Sequence, residues 1–346
     1  MNKILHLLDE QFVKDYLGRK ILPFYSDFVG IEKIEILPHK KMIWDFTYHV
    51  VFEYKTTFLT KAGVKKKIPI FCTAHDRESR LDFYKALKFL WQNGFGKGNL
   101  SIPHPLYYSK GFNALFYRGV EGKNLYCYIK KNDRNEIENI ISKAAFWFAK
   151  LHNLPVNKEL KFNLVNSRIE TIVPGMEHIL ERIKEDYPHL SPLITEIYST
   201  IDKKEKDFFA SADKRWLIHG DAHPENIIRM SRDKIAVIDF SDFCVADFAR
   251  DLGSFVQQIG YMSNRKIGDE SYTKKIQKLF LDCYFKNAKI KLDDGLQERI
   301  DNYYNWTTMR TATFFLMKEN AEPERATPLI KEVAQRLDLK FENKIC

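Results

Sequence analysis

Two short apolar runs, each ending in an acid, constrain this chain more than anything else in it. Trp216–Ile218 leads into His219-Gly220-Asp221, followed by Ala-His223-Pro224-Glu-Asn226. Residues 235–238 lead into Asp239-Phe240-Ser-Asp242, and Asp247-Phe-Ala-Arg-Asp251-Leu252 comes next. Apolar runs this short, bounded by charge, read as buried strands. Each strand therefore presents a carboxylate where it ends.

The intervals carry chemistry. Asp221 and Asn226 lie five residues apart, and Asp239 follows Asn226 by thirteen. Phosphoryl transfer needs one acid to take the proton of an attacking hydroxyl. It also needs an amide and a second acid to hold magnesium against nucleotide phosphates. Magnesium favours oxygen ligands, of which only one or two are protein carboxylates.

The ordered set His219-Gly220-Asp221, Asn226, Ile238-Asp239-Phe240 and Asp251-Leu252 resembles the aminoglycoside phosphotransferase and choline kinase family, the small-molecule branch of the protein-kinase-like fold. The resemblance implies an α+β, two-lobed fold: an antiparallel-sheet N-lobe over residues 1–118 and a helical C-lobe over 119–346. The catalytic loop would be 217–229 and the metal loop 235–242. It implies ATP and Mg2+ as cofactors, Asp221 as base, Asn226 and Asp239 as metal ligands, and His219 and Asp251 as structural support of the loop.

The rest of the chain fits that layout. A helical apolar spacing over residues 2–17, ending at Gly18, precedes strand-like runs at 31–37, 47–54 and 67–73 and an amphipathic helix over 77–91. Further strands are expected at 106–109 and 114–118, with Val120-Glu121-Gly122 as a hinge. Helices are expected at 137–153, as a pair within 166–210, and at 252–263, 270–287, 294–318 and 327–336. The loop 38–45 should cover the nucleotide phosphates, although it contains no glycine. Lys41, Val50, Phe116, Tyr117 and Arg118 are the expected ATP contacts. His223, Asp242, Tyr304, Trp306 and Arg310 are candidates for the substrate, with Tyr261 and Tyr303 beside them; aromatic packing is the competing role for Tyr303, Trp306 and Arg310.

One family feature is missing. Aligned by its apolar alternation, the third strand carries Thr73 where active kinases place a phosphate-binding lysine. Lys67 shares that face but lies roughly 20 Å away at ~3.3 Å per residue. Lys67, His75, Lys40 and Lys41 are the candidates to replace it. The gap leaves three functions open: an ATP-dependent phosphotransferase acting on a hydroxyl of a small molecule, a pseudokinase or regulatory nucleotide-binding module, and a protein kinase. The third is disfavoured because helix follows Asp239 too soon for an activation loop.

Composition narrows the partners. The formal charge is +9, spread along the chain, with 45% hydrophobic and 29% charged residues. This is a globular composition with no nucleic-acid motif, and the charge argues against a polycationic aminoglycoside as substrate. Five scattered cysteines without metal spacing suggest reduced thiols and a cytoplasmic protein, either a monomer or a homodimer. An N-terminus with acids by residue 9 does not read as a signal peptide, and no apolar run is long enough for a membrane.

Overall fold

The computed structural model describes residues 2–156, 162–212 and 214–340, which form two compact units. The first comprises residues 1–123 and 228–241; the second comprises 124–227 and 242–346. Residues 235–242, expected from sequence to be a metal loop of the C-lobe, group largely with the first unit. The reason is a ladder: Ile235–Val237 runs parallel to Leu100–Ser101, and Ser101 Oγ donates to the Ile235 carbonyl at 3.1 Å.

The first unit is built on a five-stranded antiparallel sheet. Its spatial order is Phe28–Ile43, Tyr48–Thr60, Lys65–His75, Ala114–Arg118 and His104–Ser109. Alternation along Tyr48–Thr60 sends Val50, Phe52, Tyr54 and Phe58 to one face, where they are fully buried with Phe116. The helix Glu10–Lys20, capped by the Asp9 carboxylate on Phe12 N–H at 2.7 Å, covers that face with Val13 and Leu17. Burying each of these large side chains contributes roughly 1.5–3 kcal/mol. The N-terminal helical segment divides at Asp9 and runs on through Gly18, which does not take the left-handed backbone conformation that would end the helix.

The expected phosphate loop at 38–45 is strand almost throughout. Phe28–Ile43 continues the ladder to Ile43↔Tyr48, and the turn is confined to Trp44–Thr47, closed by Trp44 N–H to Thr47 C=O at 2.9 Å. A bulge between Pro38 and Lys40 shifts the parity of the strand. It pairs Lys40 with Val51 and Lys41 with Val50. The helix after the third strand spans Arg80–Leu90, capped by Ser79.

The second unit is mainly helical. Arg134–His152 packs along Glu270–Ala288, and Ala249–Lys266 packs along Asp294–Met317. Asp133, Asp269 and Asp293 cap three of these helices through backbone N–H groups, as short acidic side chains at N-caps do. Between the helices, Trp216–Ile218 pairs antiparallel with Cys244–Ala246. The fully buried Arg250 donates to Asn166 C=O at 2.7 Å and to Cys244 Sγ at 3.1 Å, which ties this ribbon from within. Among the described residues, no helix is long and apolar enough to cross a membrane.

Candidate active site

In the second unit the strand Trp216–Ile218 ends at the loop carrying His219, Asp221, His223 and Asn226. Gly220 makes the turn possible. Its φ is +86°, and a Cβ there would lie 2.3 Å from the Asp242 carbonyl oxygen. The loop's backbone is held from beneath by Asp251 in the helix Ala249–Lys266. Its carboxylate accepts His219 N–H at 2.7 Å and Gly220 N–H at 2.9 Å, and it contacts His152 Nε2 at 3.0 Å. His152 Nδ1 in turn meets the Tyr284 hydroxyl at 2.8 Å. Burial would raise the Asp251 pKa, but the His152 contact, the charge of His219 and the Gly220 amide hold it below the usual carboxylate range.

Asp221 sits above this brace with about a third of its side chain open. Asn226 donates its amide to the Asp221 carbonyl at 2.9 Å and to its carboxylate at 3.2 Å. His223 Nε2 is 3.3 Å from the same carboxylate. Desolvation opposes ionisation of Asp221, yet the His223 contact and the charges of His223, His219 and Arg310 bring its pKa below the ordinary range. The result is an ionised, partly accessible carboxylate, able to accept a proton from a hydroxyl. Among the described residues no protein donor reaches the Asn226 amide oxygen, so that oxygen is available as a hard ligand.

Asp221 and His223 line a cavity of about 560 Å³ within this unit, together with Trp306 and Arg310. Two other expected substrate residues lie elsewhere. Tyr304 donates to Glu332 at 2.9 Å under the Arg336 guanidinium, and the Asp242 carboxylate accepts from Asn166 at 2.7 Å. Tyr303 is buried, donating to Glu205 at 3.1 Å, whereas Tyr261 does line the cavity. Sequence reasoning missed Arg265, Lys318 and Arg325, which complete the wall; their periodic helices mark them only as exposed charge.

The first unit holds a separate cavity of about 330 Å³, at the lower end of the ~300–1,000 Å³ typical of ligand pockets. Val51, Phe71, Thr73, Tyr117, Gly119 and Asp239 line it. Gly119 lets the chain pass the Phe71 ring, which a Cβ would approach to 2.4 Å. Asp239 has φ +62°, an uncommon conformation for a non-glycine residue, and its Oδ1 accepts from Ser241 Oγ at 2.9 Å.

Of the expected ATP contacts, Tyr117 lines this cavity. Val50 and Phe116 are buried in the core on the opposite face, because they are the neighbours in the alternation of Val51 and Tyr117. Lys41 pairs with Val50 and so falls on that other side of the strand, and Arg118 closes the strand end opposite Ile70 and His104. Thr73 occupies the slot that alternation predicts, and Lys67 pairs far along the ladder with Thr57.

A basic cluster lies next to Thr73 instead. His49 and His75 are direct cross-strand partners with ring centroids 4.6 Å apart, one position beyond the Val51–Thr73 pair on the same face. Arg80 is buried; its guanidinium reaches Glu78 at 3.1 Å while its Nε has no partner. Burial, then the charges of Lys40 and Arg80, depress the His49 pKa to about 4, and burial together with Arg80 and Lys40 lowers His75 against the pull of Glu78 and Asp76. Sequence reasoning missed His49 and Arg80. Arg80 opens an amphipathic helix, where a charge ordinarily signifies only a solvated end.

Among the described residues no group of three or more His, Cys, Asp or Glu side chains is arranged to hold a metal. An all-protein cage is thus absent among the described residues.

A family model described as "Phosphotransferase enzyme family" matches residues 66–277, more than half of the chain. No curated protein sequence matches it. Among solved structures, the spectinomycin phosphotransferase APH(9)-Ia, in complex with ADP and spectinomycin, is similar at 14% identity and TM-score 0.57, covering 94% of each chain. The streptomycin–ATP ternary complex of APH(2″)-IIa is similar at 15% identity and TM-score 0.54, covering 93% of this chain and 95% of that one. The Plasmodium vivax ethanolamine kinase is similar at 15% identity and TM-score 0.52, covering 87% and 81%. At these identities the likeness is one of fold, and the fold is the protein-kinase-like α+β class.

Proposed function

This chain belongs to the phosphotransferase enzyme family, and from that premise we propose that it is an ATP-dependent kinase of a hydroxylated small molecule, with Asp221 as its base. The single observation that carries this reading is the state of Asp221: ionised, partly open, oriented by Asn226 and His223, and set at the wall of a cavity.

In the proposed reaction the substrate O–H bond breaks as its proton passes to the Asp221 carboxylate. The hydroxyl oxygen forms a bond to the γ-phosphorus, the β–γ bridging P–O bond breaks, and ADP leaves with that electron pair. Asn226 and Asp239 would hold Mg2+, which supplies charge neutralisation of the phosphates when bound. His219 and Asp251 act through the loop backbone as positioning residues. In the first unit Val51, Phe71 and Tyr117 offer an apolar bed for the nucleotide base, as adenine recognition by apolar walls requires. Lys40 and Arg80 supply the positive charge that the Thr73 slot lacks, while His49 and His75, kept uncharged by their lowered pKa values, offer ring nitrogens for hydrogen bonding. Neighbours solved with ATP or ADP support a nucleotide as donor.

The test is ADP release in the presence of Mg2+ and ATP across a panel of hydroxylated metabolites, with Asp221→Asn as control. Turnover that the control abolishes supports the reading. Failure of the wild-type protein to bind Mg–ATP in calorimetry overturns it in favour of a binding module.

A further inference from the structure

The walls of the Asp221 cavity are unusually rich in positive charge. Arg265, Arg310, Lys318 and Arg325 line it, against Asp221 and Glu225 as the acids. Asp221 is committed to proton transfer in the reading above, and Glu225 is exposed. Lys318 and Arg325 are partly answered by one shared carboxylate, Glu322, and Arg325 also donates to the Tyr261 hydroxyl at 2.9 Å. Arg265 and Arg310 have no carboxylate within ion-pair distance among the described residues.

Arg310 is the more telling of the two. It stands half-buried in the helix Asp294–Met317, its guanidinium 5.0 Å from the centre of the Trp306 ring. Stacking on an indole fixes the plane of the guanidinium while leaving its N–H fork free. Its charge also reaches Asp221, where it helps hold the carboxylate ionised. A partly desolvated cation with an idle donor fork is a costly arrangement unless an anion completes it. A polycationic ligand would meet repulsion from four sides of such a cavity. A hydroxylated anion would meet a fixed fork near the base and further cations behind it.

We propose that the substrate phosphorylated at this site is itself an anion, a hydroxylated phosphate ester or carboxylate, whose charged group docks on Arg310 and Arg265 while its hydroxyl meets Asp221. This rests on the kinase reading of the site. It differs in charge from spectinomycin and streptomycin, the compounds bound in the similar structures.

The test uses the full chain, with Arg310→Gln, Arg265→Gln, their double variant and Arg310→Lys, each checked for an unchanged thermal transition. Four substrate arms are run with Mg–ATP: sugar phosphates, sugar acids, neutral polyols, and amine-bearing compounds including aminoglycosides. Separately, inorganic phosphate is titrated calorimetrically without nucleotide. Turnover confined to the phosphate or carboxylate arm is expected, and which arm responds identifies the anion. Arg310→Gln should raise KM about tenfold or more, the scale of a lost charge-assisted hydrogen bond, with partial rescue by Arg310→Lys. Turnover of an amine-bearing or neutral compound, with KM unchanged or lowered in Arg310→Gln, overturns the anionic substrate and leaves the kinase reading standing. Inorganic phosphate binding that disappears in the double variant, without any Mg–ATP binding by the wild type, upholds the anion site and overturns the kinase reading. Absence of both phosphate binding and anion turnover overturns the proposal.

Discussion

The backbone N–H of His219 donates to the carboxylate of Asp251 at 2.7 Å, across 32 positions of sequence. The neighbouring amide of Gly220 donates to the other oxygen. One buried acid thereby fixes the loop that presents Asp221, and His152 sets that acid in place.

Asp251→Ala should therefore destabilise the protein by roughly 3–5 kcal/mol, because it strands two buried amides and a histidine. The depressed pKa of Asp251 gives the pH dependence. A carboxyl lowered in the folded state contributes stability that is present above its unfolded value, ~3.9, and lost as pH falls through the folded value. Urea unfolding at neutral and acid pH measures both. A loss under ~1 kcal/mol at neutral pH would mean that the loop stands without its brace.

Asp221→Asn is expected to lower turnover by ~10²–10⁴-fold with little effect on stability or Mg–ATP affinity. Its lowered pKa also predicts that kcat has no acid limb from this group above pH ~5, since the base is already ionised there. A limb near pH ~6 that survives in His223→Ala would place the base on another residue.

Asp239→Ala should remove the enhancement of ATP binding by magnesium while the nucleotide alone still binds. Calorimetric titration of ATP with and without the metal gives the comparison. Equal enhancement in variant and wild type would exclude Asp239 as a ligand.

Arg80→Gln and His75→Ala should each weaken ATP binding about tenfold, the scale of a hydrogen bond to a charged group. Lys41→Ala and Lys67→Ala should leave it unchanged, since one lies across the strand and the other pairs opposite Thr57. The reverse pattern would return the phosphate contact to the strand's own lysines.

Gly220→Ala should cost more than ~1 kcal/mol and depress turnover with it. A methyl there both occupies the space of the Asp242 carbonyl and strains a φ of +86°. Denaturation and turnover of the variant check it, and wild-type values in both would show that the loop tolerates another path.

The sequence by itself specified most of the elements and the spacing of the strand-end acids. Strand-end acids at kinase spacing are written locally in residues 217–251, and long helices such as Arg134–His152 show their period directly. Thr73 was legible too, because alternation carries along a regular strand. Tertiary structure decided which partner of each alternating pair met the cavity. Both faces of the sheet are apolar, one under the helix Glu10–Lys20 and one at the cavity, so Val50 and Val51, or Phe116 and Tyr117, look alike in sequence. The bulge between Pro38 and Lys40 then shifted the parity of the first strand, setting Lys40 rather than Lys41 opposite Val51. The positive wall of the Asp221 cavity was equally unreadable. Arg265, Arg310, Lys318 and Arg325 come from separate stretches of helix and loop, and only packing in three dimensions sums their charges at one place.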